Sequence, residues 1–228
     1  MKKMRYAIIG CGSAGKVHAY HFRSDPRIEC VAASDIDSVA VEYYKQHFGF
    51  LTGYTDYNEM LENEDLDILS IASPPGIHLE QLKAGMEKGL HIFSEKPLVV
   101  SEQEILEIED MASRYDKFLG IMLPRRFYNN SMAVKRVIEN RMVGSIEEIR
   151  FDLKCYKDRS FYSTWRGKKD MVGGGVLMSQ AIHSIDQLIF IFGKPLAVEG
   201  HVRTSRDYIE VEDEAEAIAP QRREPVAV

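Results

Sequence analysis

The residues with the clearest chemistry are three glycines at G-x-G-x-x-G spacing, Gly10, Gly12 and Gly15, which follow a short apolar run. A buried strand, a glycine turn and a helix start form the first unit of a dinucleotide-binding fold. Gly10 would permit the tight turn, Gly12 would let the backbone approach a pyrophosphate, and Gly15 would let the helix pack close to the strand. The first helical N–H groups, at Ser13 and Ala14, would face the phosphates. A glycine turn that binds nothing satisfies the same spacing equally well.

Asp35 follows the second apolar run, about 20 residues after the last glycine, where the dinucleotide fingerprint places an acid. A carboxylate at this point can accept hydrogen bonds from both ribose hydroxyls of the adenosine, and it would repel a 2′-phosphate. The next residues, Ile36, Asp37 and Ser38, supply no cation for that phosphate. The pattern therefore favours NAD over NADP as the cofactor. The alternative is an exposed acid at the end of a strand.

Two later strands also end in polar or turn residues. Ser73 ends one strand and is followed by Pro74, and Glu95, Lys96 and Pro97 follow the next strand. Ser73, Pro74, Glu95 and Lys96 are therefore predicted to contact the cofactor. A lysine at the mouth of a parallel sheet can hydrogen-bond a substrate hydroxyl, and burial lowers its pKa toward the range useful for proton transfer. The proline would fix the turn that aims it. The alternative is an exposed loop lysine with no role in chemistry.

Ser179, His183 and Asp186 are spaced i, i+4 and i+7 in an apolar segment that follows the glycine run 173–175. On a helix they would share one face, and the pKa of a histidine suits acid–base work. A satisfied polar cluster in the core is the competing interpretation. One His and one Asp are too few ligands for a metal, so no metal site is predicted.

Three weaker candidates complete the set. His78 would cap a helix or contact the nicotinamide side of the crevice. Arg126 follows the last strand of the first half and could contact substrate. Arg166, next to Trp165, could either anchor the packing or contact cofactor and substrate.

Strands alternate with helices in the first half of the chain, which predicts a doubly wound parallel sheet. The strands are predicted at 6–10, 28–34, 68–73, 91–94 and 118–123, and the helices at 14–23, 38–48, 57–63, 77–88 and 101–115. Ligands in such sheets lie beyond the carboxyl ends of the strands. The glycines, Asp35 and Lys96 all fall at such ends.

The pattern changes near Pro124, which predicts a dinucleotide-binding domain at 1–124 and a separate α+β domain at 125–228. In the second domain, helices are predicted at 130–140 and from the glycine run to about 192, and strands at 146–156 and 197–204. The segment 210–218 also has the pattern of a strand, whereas the residues after 218 do not continue it.

The composition is that of a soluble globular protein, with 45% hydrophobic and 28% charged residues among 228. The net charge of −6 argues against a nucleic-acid partner. No apolar stretch is expected to reach the length of a membrane span. No signal peptide is expected either, because glycines interrupt the first apolar run at once. The three scattered cysteines, Cys11, Cys30 and Cys155, indicate a reducing, cytoplasmic location.

These motifs, in this order, resemble the Gfo/Idh/MocA family of nicotinamide-dependent oxidoreductases, over about residues 4–218. The resemblance implies a Rossmann domain followed by a domain with an open, mainly antiparallel sheet that often mediates oligomerisation, so a homo-oligomer is expected if that sheet is functional. It implies reversible hydride transfer between the nicotinamide C4 and a carbinol or carbonyl carbon of a sugar, cyclitol or sugar derivative. By the same resemblance, Lys96 would contact the reacting hydroxyl and His183 would act as general acid or base.

Two departures from the family pattern stand out. Ser179 stands where family members often carry an aspartate, so the proton relay would differ. Family members also usually exceed 300 residues, which leads us to expect a C-terminal truncation that leaves the second domain incomplete; a natural short variant with a solvated tail is the alternative.

Three functions therefore compete. The first is an NAD-dependent oxidoreductase that acts on a polyol or sugar-like substrate, with substrate contacts from Lys96, Arg126, Ser179 and His183. The second is a protein that binds NAD(P) but catalyses nothing, either a sensor or a nonfunctional fragment. The third, a metabolite-binding module without a nicotinamide, fits the motifs least well.

Overall fold

The computed structural model describes residues 2–144 and 146–219. The chain divides into two compact units, Met1–Met122 and Leu123–Val228.

The described part of the first unit is a six-stranded parallel sheet with helices between its strands. The strands are β1 (Met4–Ile9), β2 (Ile28–Ser34), β3 (Thr52–Tyr54), β4 (Ile68–Ile71), β5 (His91–Ser94) and β6 (Leu119–Ile121), and the helices are α1 (Ser13–Arg23), α2 (Ser38–Phe48), α3 (Tyr57–Asn63), α4 (His78–Glu87) and α5 (Glu102–Ser113). The strand order is β3-β2-β1-β4-β5-β6, and every neighbouring pair is parallel. The predicted doubly wound sheet is thus confirmed.

Both faces of this sheet are covered, because successive side chains of a strand point to opposite sides. In β1, Tyr6 and Ile8 belong to one buried cluster, whereas Ala7 and Ile9 belong to a second cluster on the other face. The strand order reverses between β1 and β4, and an open α/β sheet binds its ligands at the carboxyl edge next to such a reversal.

Most predicted boundaries in this unit agree with the structure to within two residues. Helix α5 begins with a capping box, in which the Ser101 hydroxyl accepts from the Glu104 N–H and the Glu104 carboxylate accepts from the Ser101 N–H. Strand β3 was not predicted, because three residues around Gly53 carry no periodic apolar signal. The strands β4 and β6 are shorter than predicted, since the chain leaves the sheet into the loops at Ala72 and Met122.

In the second unit, the described residues form a mainly helical group and a two-stranded sheet. The helices are α6 (Asn129–Glu139), α7 (Arg159–Tyr162), α8 (Lys169–Val172) and α9 (Ile182–Phe192), and the strands are β7 (Glu199–Arg203) and β8 (Glu214–Ile218). The two strands pair antiparallel, from Glu199 with Ile218 to Arg203 with Glu214. The predicted strand at the end of the segment 210–218 is thus present, and the residues from 220 onward lie outside the described chain.

The predicted strand at 146–156 is wrong. These residues alternate apolar and charged side chains, but the structure assigns them no strand and leaves them all exposed. A strand exists only where its backbone finds a hydrogen-bonded neighbour, and no segment among the described residues pairs with this one.

The long predicted helix after the glycine run is also different in detail. A π-helical turn, Leu177–Ala181, precedes α9. The helical run Lys169–Phe192 is long and apolar enough to cross a membrane by length and composition, since an 18-residue window within it has a mean hydropathy of 1.3. The expectation that no apolar stretch reaches that length was therefore wrong. A single such helix within the described residues is weak evidence for a membrane span, because core helices of soluble proteins pass the same test.

Candidate functional site

The glycine turn joins β1 to α1 and lies against the loop that follows β4. Gly10 has a φ of 96°, a left-handed conformation that side chains disfavour, and a Cβ here would lie 2.5 Å from the Ser73 backbone nitrogen. The Gly10 N–H donates to the Ser34 carbonyl at 2.8 Å. Only glycine fits at this position, where the loops after two neighbouring strands meet.

Gly12 and Gly15 serve different purposes in the same turn. A Cβ on Gly15 would collide with the Gly10 carbonyl and the Tyr44 hydroxyl, so this glycine is needed for close packing within the protein. A Cβ on Gly12 would meet no atom within 4 Å. Gly12 is also the N-cap of α1 and provides no capping side chain, so the open space lies at the positive end of an 11-residue helix.

This open space fits the pyrophosphate of a dinucleotide. The N–H groups at the start of α1, from Ser13 and Ala14 onward, have no capping side chain in competition with a ligand. When bound, a nicotinamide dinucleotide would supply the hydride acceptor, and the glycine turn would hold its phosphates.

Asp35 is held at the rim of this turn. Its carboxylate accepts from the Cys11 N–H at 2.7 Å through Oδ2 and from the Asp37 N–H at 2.9 Å through Oδ1. The side chain is half-buried, and Ile36 beside it is 95% exposed. A carboxylate has about four lone-pair sites, so two backbone donors leave capacity for two ribose hydroxyls.

Cys11, inside the turn, is not a nucleophile. Its side chain is 4% exposed, and burial, reinforced by the Asp35 charge, raises the pKa of the thiol far above its ordinary value. The thiol therefore stays protonated, and a small apolar filling role remains.

Lys96 and Glu95 lie on the loop after β5, at the same edge of the sheet as the glycine turn. Burial lowers the pKa of the Lys96 ammonium, and the Glu95 carboxylate opposes that effect. Burial would raise the pKa of Glu95, but hydrogen bonds from His18 and from the Lys96 N–H hold it below the usual range. The loop thus carries an ionised carboxylate next to a lysine whose proton is easier to remove than usual.

His78, for which the sequence allowed a helix cap or a cofactor contact, is the first residue of α4 and is fully buried. Its Nε2 lies 2.9 Å from the Ser73 carbonyl, and its Nδ1 lies 3.0 Å from the Pro97 carbonyl. Burial lowers its pKa despite these carbonyls. The ring therefore ties the loop after β4 to the loop after β5, which makes His78 a residue that shapes the site. The Ser73 hydroxyl in turn donates a 2.5 Å hydrogen bond to the side-chain oxygen of Gln81, which is also on α4.

In the second unit, Arg126 and Asp186 bind each other. The Arg126 Nε lies 3.0 and 2.9 Å from the two Asp186 carboxylate oxygens, and a second guanidinium nitrogen also contacts Oδ1. Arg125 donates to the hydroxyl of Ser184, two residues earlier on the same helix, at 2.6 Å. These contacts fasten the short turn Pro124–Phe127 to α9, the helix that carries His183. Asp186, one of the three polar residues predicted on this helix face, is thus paired with Arg126.

The glycine run 173–175 packs closely against Glu212. The Glu212 carboxylate accepts from the Gly175 N–H at 2.7 Å and from the Leu177 N–H at 3.2 Å. The Val176 N–H donates to the Glu212 carbonyl at 2.8 Å. A Cβ on Gly175 would overlap that carbonyl oxygen, so this glycine permits a backbone contact rather than a ligand contact.

Arg166 lies over aromatic rings. Its guanidinium is 4.4 Å from the centroid of Trp165 and 5.1 Å from that of Phe161, and burial lowers its pKa. These stacking contacts support the packing-anchor interpretation of this pair.

Lys96 belongs to the first unit and His183 to the second. The structure brings together the glycine turn, Asp35 and, through His78, the two loops that follow β4 and β5. The residues that sequence reasoning missed are His18 and Gln81, since a lone polar residue on a helix gives no signal of a distant partner. Within 2–144 and 146–219, no cluster of three or more His, Cys, Asp or Glu side chains could hold a metal.

A doubly wound sheet with a glycine turn at its crossover and an acid after β2 defines a dinucleotide-binding α/β protein. The model of the oxidoreductase family with an NAD-binding Rossmann fold matches residues 4–122, and that of the GFO/IDH/MocA C-terminal domain matches 131–220. The chain belongs to the Gfo/Idh/MocA family, as its motifs indicated.

Characterised relatives are distant and longer. The chain is 28% identical over 195 residues to D-glucoside 3-dehydrogenase of Escherichia coli, covering 84% of this chain and 55% of that protein. It is 25% identical over 191 residues to myo-inositol 2-dehydrogenase of Thermotoga maritima, with the same two coverages. The chain spans about half the length of the curated relatives it matches.

Among solved structures, the WlbA dehydrogenase of Chromobacterium violaceum, in complex with NADH and UDP-GlcNAcA, superposes with a TM-score of 0.88 at 28% identity. The match covers 97% of this chain and 65% of that one.

Proposed function

We propose that this chain binds NAD and takes part in hydride transfer to and from a carbinol carbon of a sugar, cyclitol or sugar derivative. The observation that carries the proposal is the open position at Gly12, at the N-terminus of α1, beside the half-buried Asp35 carboxylate. The relatives named above support the substrate class, since their names refer to a glucoside, an inositol and a nucleotide sugar.

The preference for NAD over NADP is carried by Asp35. Both carboxylate oxygens are already fixed by backbone donors, so the negative charge cannot turn away from an incoming 2′-phosphate. Neither Ile36 nor Asp37 offers a cation in compensation.

Lys96 is proposed to hold the substrate hydroxyl and to take its proton as the hydride leaves the carbon. A lysine with a lowered pKa suits this task, because a developing alkoxide is costly in a site that excludes water. His183 on α9 is proposed as a second acid–base group, and Ser179 and Arg126 as substrate contacts. Arg126 would have to act while paired with Asp186.

The test is NAD⁺ reduction across a panel of polyols, sugars and nucleotide sugars, with NADH binding measured by fluorescence. We expect turnover with at least one substrate in the panel. K96M, which keeps most of the apolar stem but removes the charge, should lower kcat by at least about 100-fold and leave NADH affinity nearly unchanged. Full turnover in K96M would remove the role given to Lys96. NADH binding with no turnover on any substrate would favour the alternative, a cofactor-binding protein without catalysis.

A further inference from the structure

A buried histidine outside the motifs contacts the lysine loop. His18 lies on α1, three residues after Gly15, and is 2% exposed. Its Nε2 is 3.2 Å from the Glu95 Oε1, and its Nδ1 is 3.0 Å from the Ser70 hydroxyl of β4. The ring thus bridges the first helix, the fourth strand and the loop after β5.

The partners decide where the proton of His18 lies. Glu95 is held ionised and can only accept, so Nε2 carries the hydrogen and donates to the carboxylate. Nδ1 then accepts from the Ser70 hydroxyl, which can donate. Each ring nitrogen therefore has a partner, and the two contacts hold the ring in one orientation.

Glu95 links the His18 ring to the backbone of Lys96. Its Oε2 accepts from the Lys96 backbone N–H at 3.2 Å, and its own N–H donates to the Ile71 carbonyl at 2.8 Å. One carboxylate oxygen therefore points to His18 and the other to the residue that the proposed function places on the substrate hydroxyl.

We propose that His18 is a positioning residue that orients the Glu95 carboxylate and, through it, sets the charge state and direction of Lys96. The proposal rests on the proposed function for the role of Lys96, but the linkage itself is a property of the first unit alone. His18 touches no reacting atom in this scheme.

Two other titratable groups near this linkage, Tyr6 and His78, have shifted pKa values. Burial raises the pKa of Tyr6 on β1 well above its usual value, so its hydroxyl stays protonated. Burial lowers the pKa of His78, which faces Glu95 from α4, so its ring stays neutral near pH 7. Glu95 is therefore the charge that opposes the effect of burial on Lys96.

Two substitutions of His18 separate its contacts. In H18N, the amide can replace Nδ1 toward Ser70 but is too short to reach Glu95. In H18Q, the amide nitrogen takes the place of Nε2 and keeps the donor to Glu95. E95Q, which removes the charge but keeps the shape, is the reference.

The measurement is the apparent pKa of Lys96 in the whole chain. Competitive acylation of lysines across a pH series, with peptide mass spectrometry, reports it without any need for turnover. We expect E95Q and H18N to lower the Lys96 pKa by about one pH unit, and H18Q to keep it close to that of the unsubstituted protein. Circular dichroism and NADH binding check that each variant is folded.

Equal Lys96 pKa values in H18N and H18Q would overturn the proposal, because His18 would then only pack. If H18N does not fold, H18Q alone tests the proposal. A Lys96 pKa that falls in H18Q as far as it does in E95Q, although the donor to Glu95 is retained, also overturns the proposal. A chain that turns over no substrate but shows the expected order of Lys96 pKa values contradicts the proposed function and supports the linkage. In an active protein, H18N should shift the pH profile of kcat to lower pH and leave the affinity for NADH nearly unchanged. A general loss of packing would lower that affinity as well.

Discussion

The Cys11 backbone N–H donates a 2.7 Å hydrogen bond to the Asp35 carboxylate, although 24 residues separate them. This bond joins the glycine turn after β1 to the end of β2. The turn proposed to hold the phosphates and the carboxylate proposed to bind the ribose are therefore directly linked. The selectivity for the cofactor should therefore depend on Asp35 more than on any neighbouring acid.

D35N should weaken NADH binding by about 10-fold or more, since a hydrogen bond to a charged group is worth about 1.5–3 kcal/mol. It should weaken NADPH binding less, or improve it, because the repulsion of the 2′-phosphate is gone. Titration with both nucleotides gives the ratio of affinities. D37N is the matched control: Asp37 caps α2 through the Val39 N–H, a role that asparagine also fills. An unchanged ratio in D35N would argue against the NAD preference.

Gly12 and Gly15 should respond in opposite ways to alanine. G12A places its methyl group in open space, so the free energy of unfolding should fall by less than about 1 kcal/mol, while NADH binding falls steeply because the methyl group occupies the proposed pyrophosphate position. G15A collides with the Gly10 carbonyl and should destabilise the fold by about 2 kcal/mol or more. Denaturant unfolding and NADH titration separate the two effects. Undiminished binding in G12A would contradict the proposed position of the phosphates.

His78 should make the stability depend on pH. Its pKa is lower in the folded protein than the ordinary value of 6.5, so the folded state favours the neutral ring. The stability it contributes is fully present above pH 6.5 and is lost as the pH falls below that value toward the folded pKa. H78Q, which cannot titrate, should lose less stability than the unsubstituted protein between about pH 6.5 and 5. Parallel unfolding curves for the two proteins over that interval would show that His78 does not titrate there.

Gly175 and Gly174 form a matched pair in the second unit. G175A would push a methyl group into the Glu212 backbone, whereas G174A would meet the flexible side chain of Met178 at 2.7 Å. We expect G175A to lower the free energy of unfolding by about 2 kcal/mol more than G174A does. Chemical denaturation, followed by the fluorescence of Trp165, the one tryptophan of the chain, measures the difference. Similar losses of unfolding free energy in both variants would mean that the Glu212 backbone can shift to accommodate the methyl group at little cost.

The glycine turn, Asp35 and the lysine loop could be found from the sequence because each depends on local rules. A buried strand shows as an apolar run, a tight turn demands glycine, and the crossover of a parallel sheet places its ligands at the carboxyl ends of the strands. The capping box at Ser101 and Glu104 is local in the same way. The approximate lengths of the helices follow from their periodicity.

Other features of the site depend on contacts between distant residues. Sequence spacing placed Asp186 on one helix face with Ser179 and His183, but Arg126, 60 residues away, binds it. The segment 146–156 has the alternation of a strand, yet without a neighbour its backbone forms none.

What the sequence determined by itself is therefore the class of fold, the turn that would hold the phosphates and the position of the acid after β2, because these follow from short-range periodicity and backbone sterics. Only the tertiary structure decided which polar groups meet. His18 and Glu95 are 77 residues apart, and nothing in either neighbourhood indicates the other. They are joined because α1 and the loop after β5 both contact β4, and a half-buried carboxylate gains from a donor there.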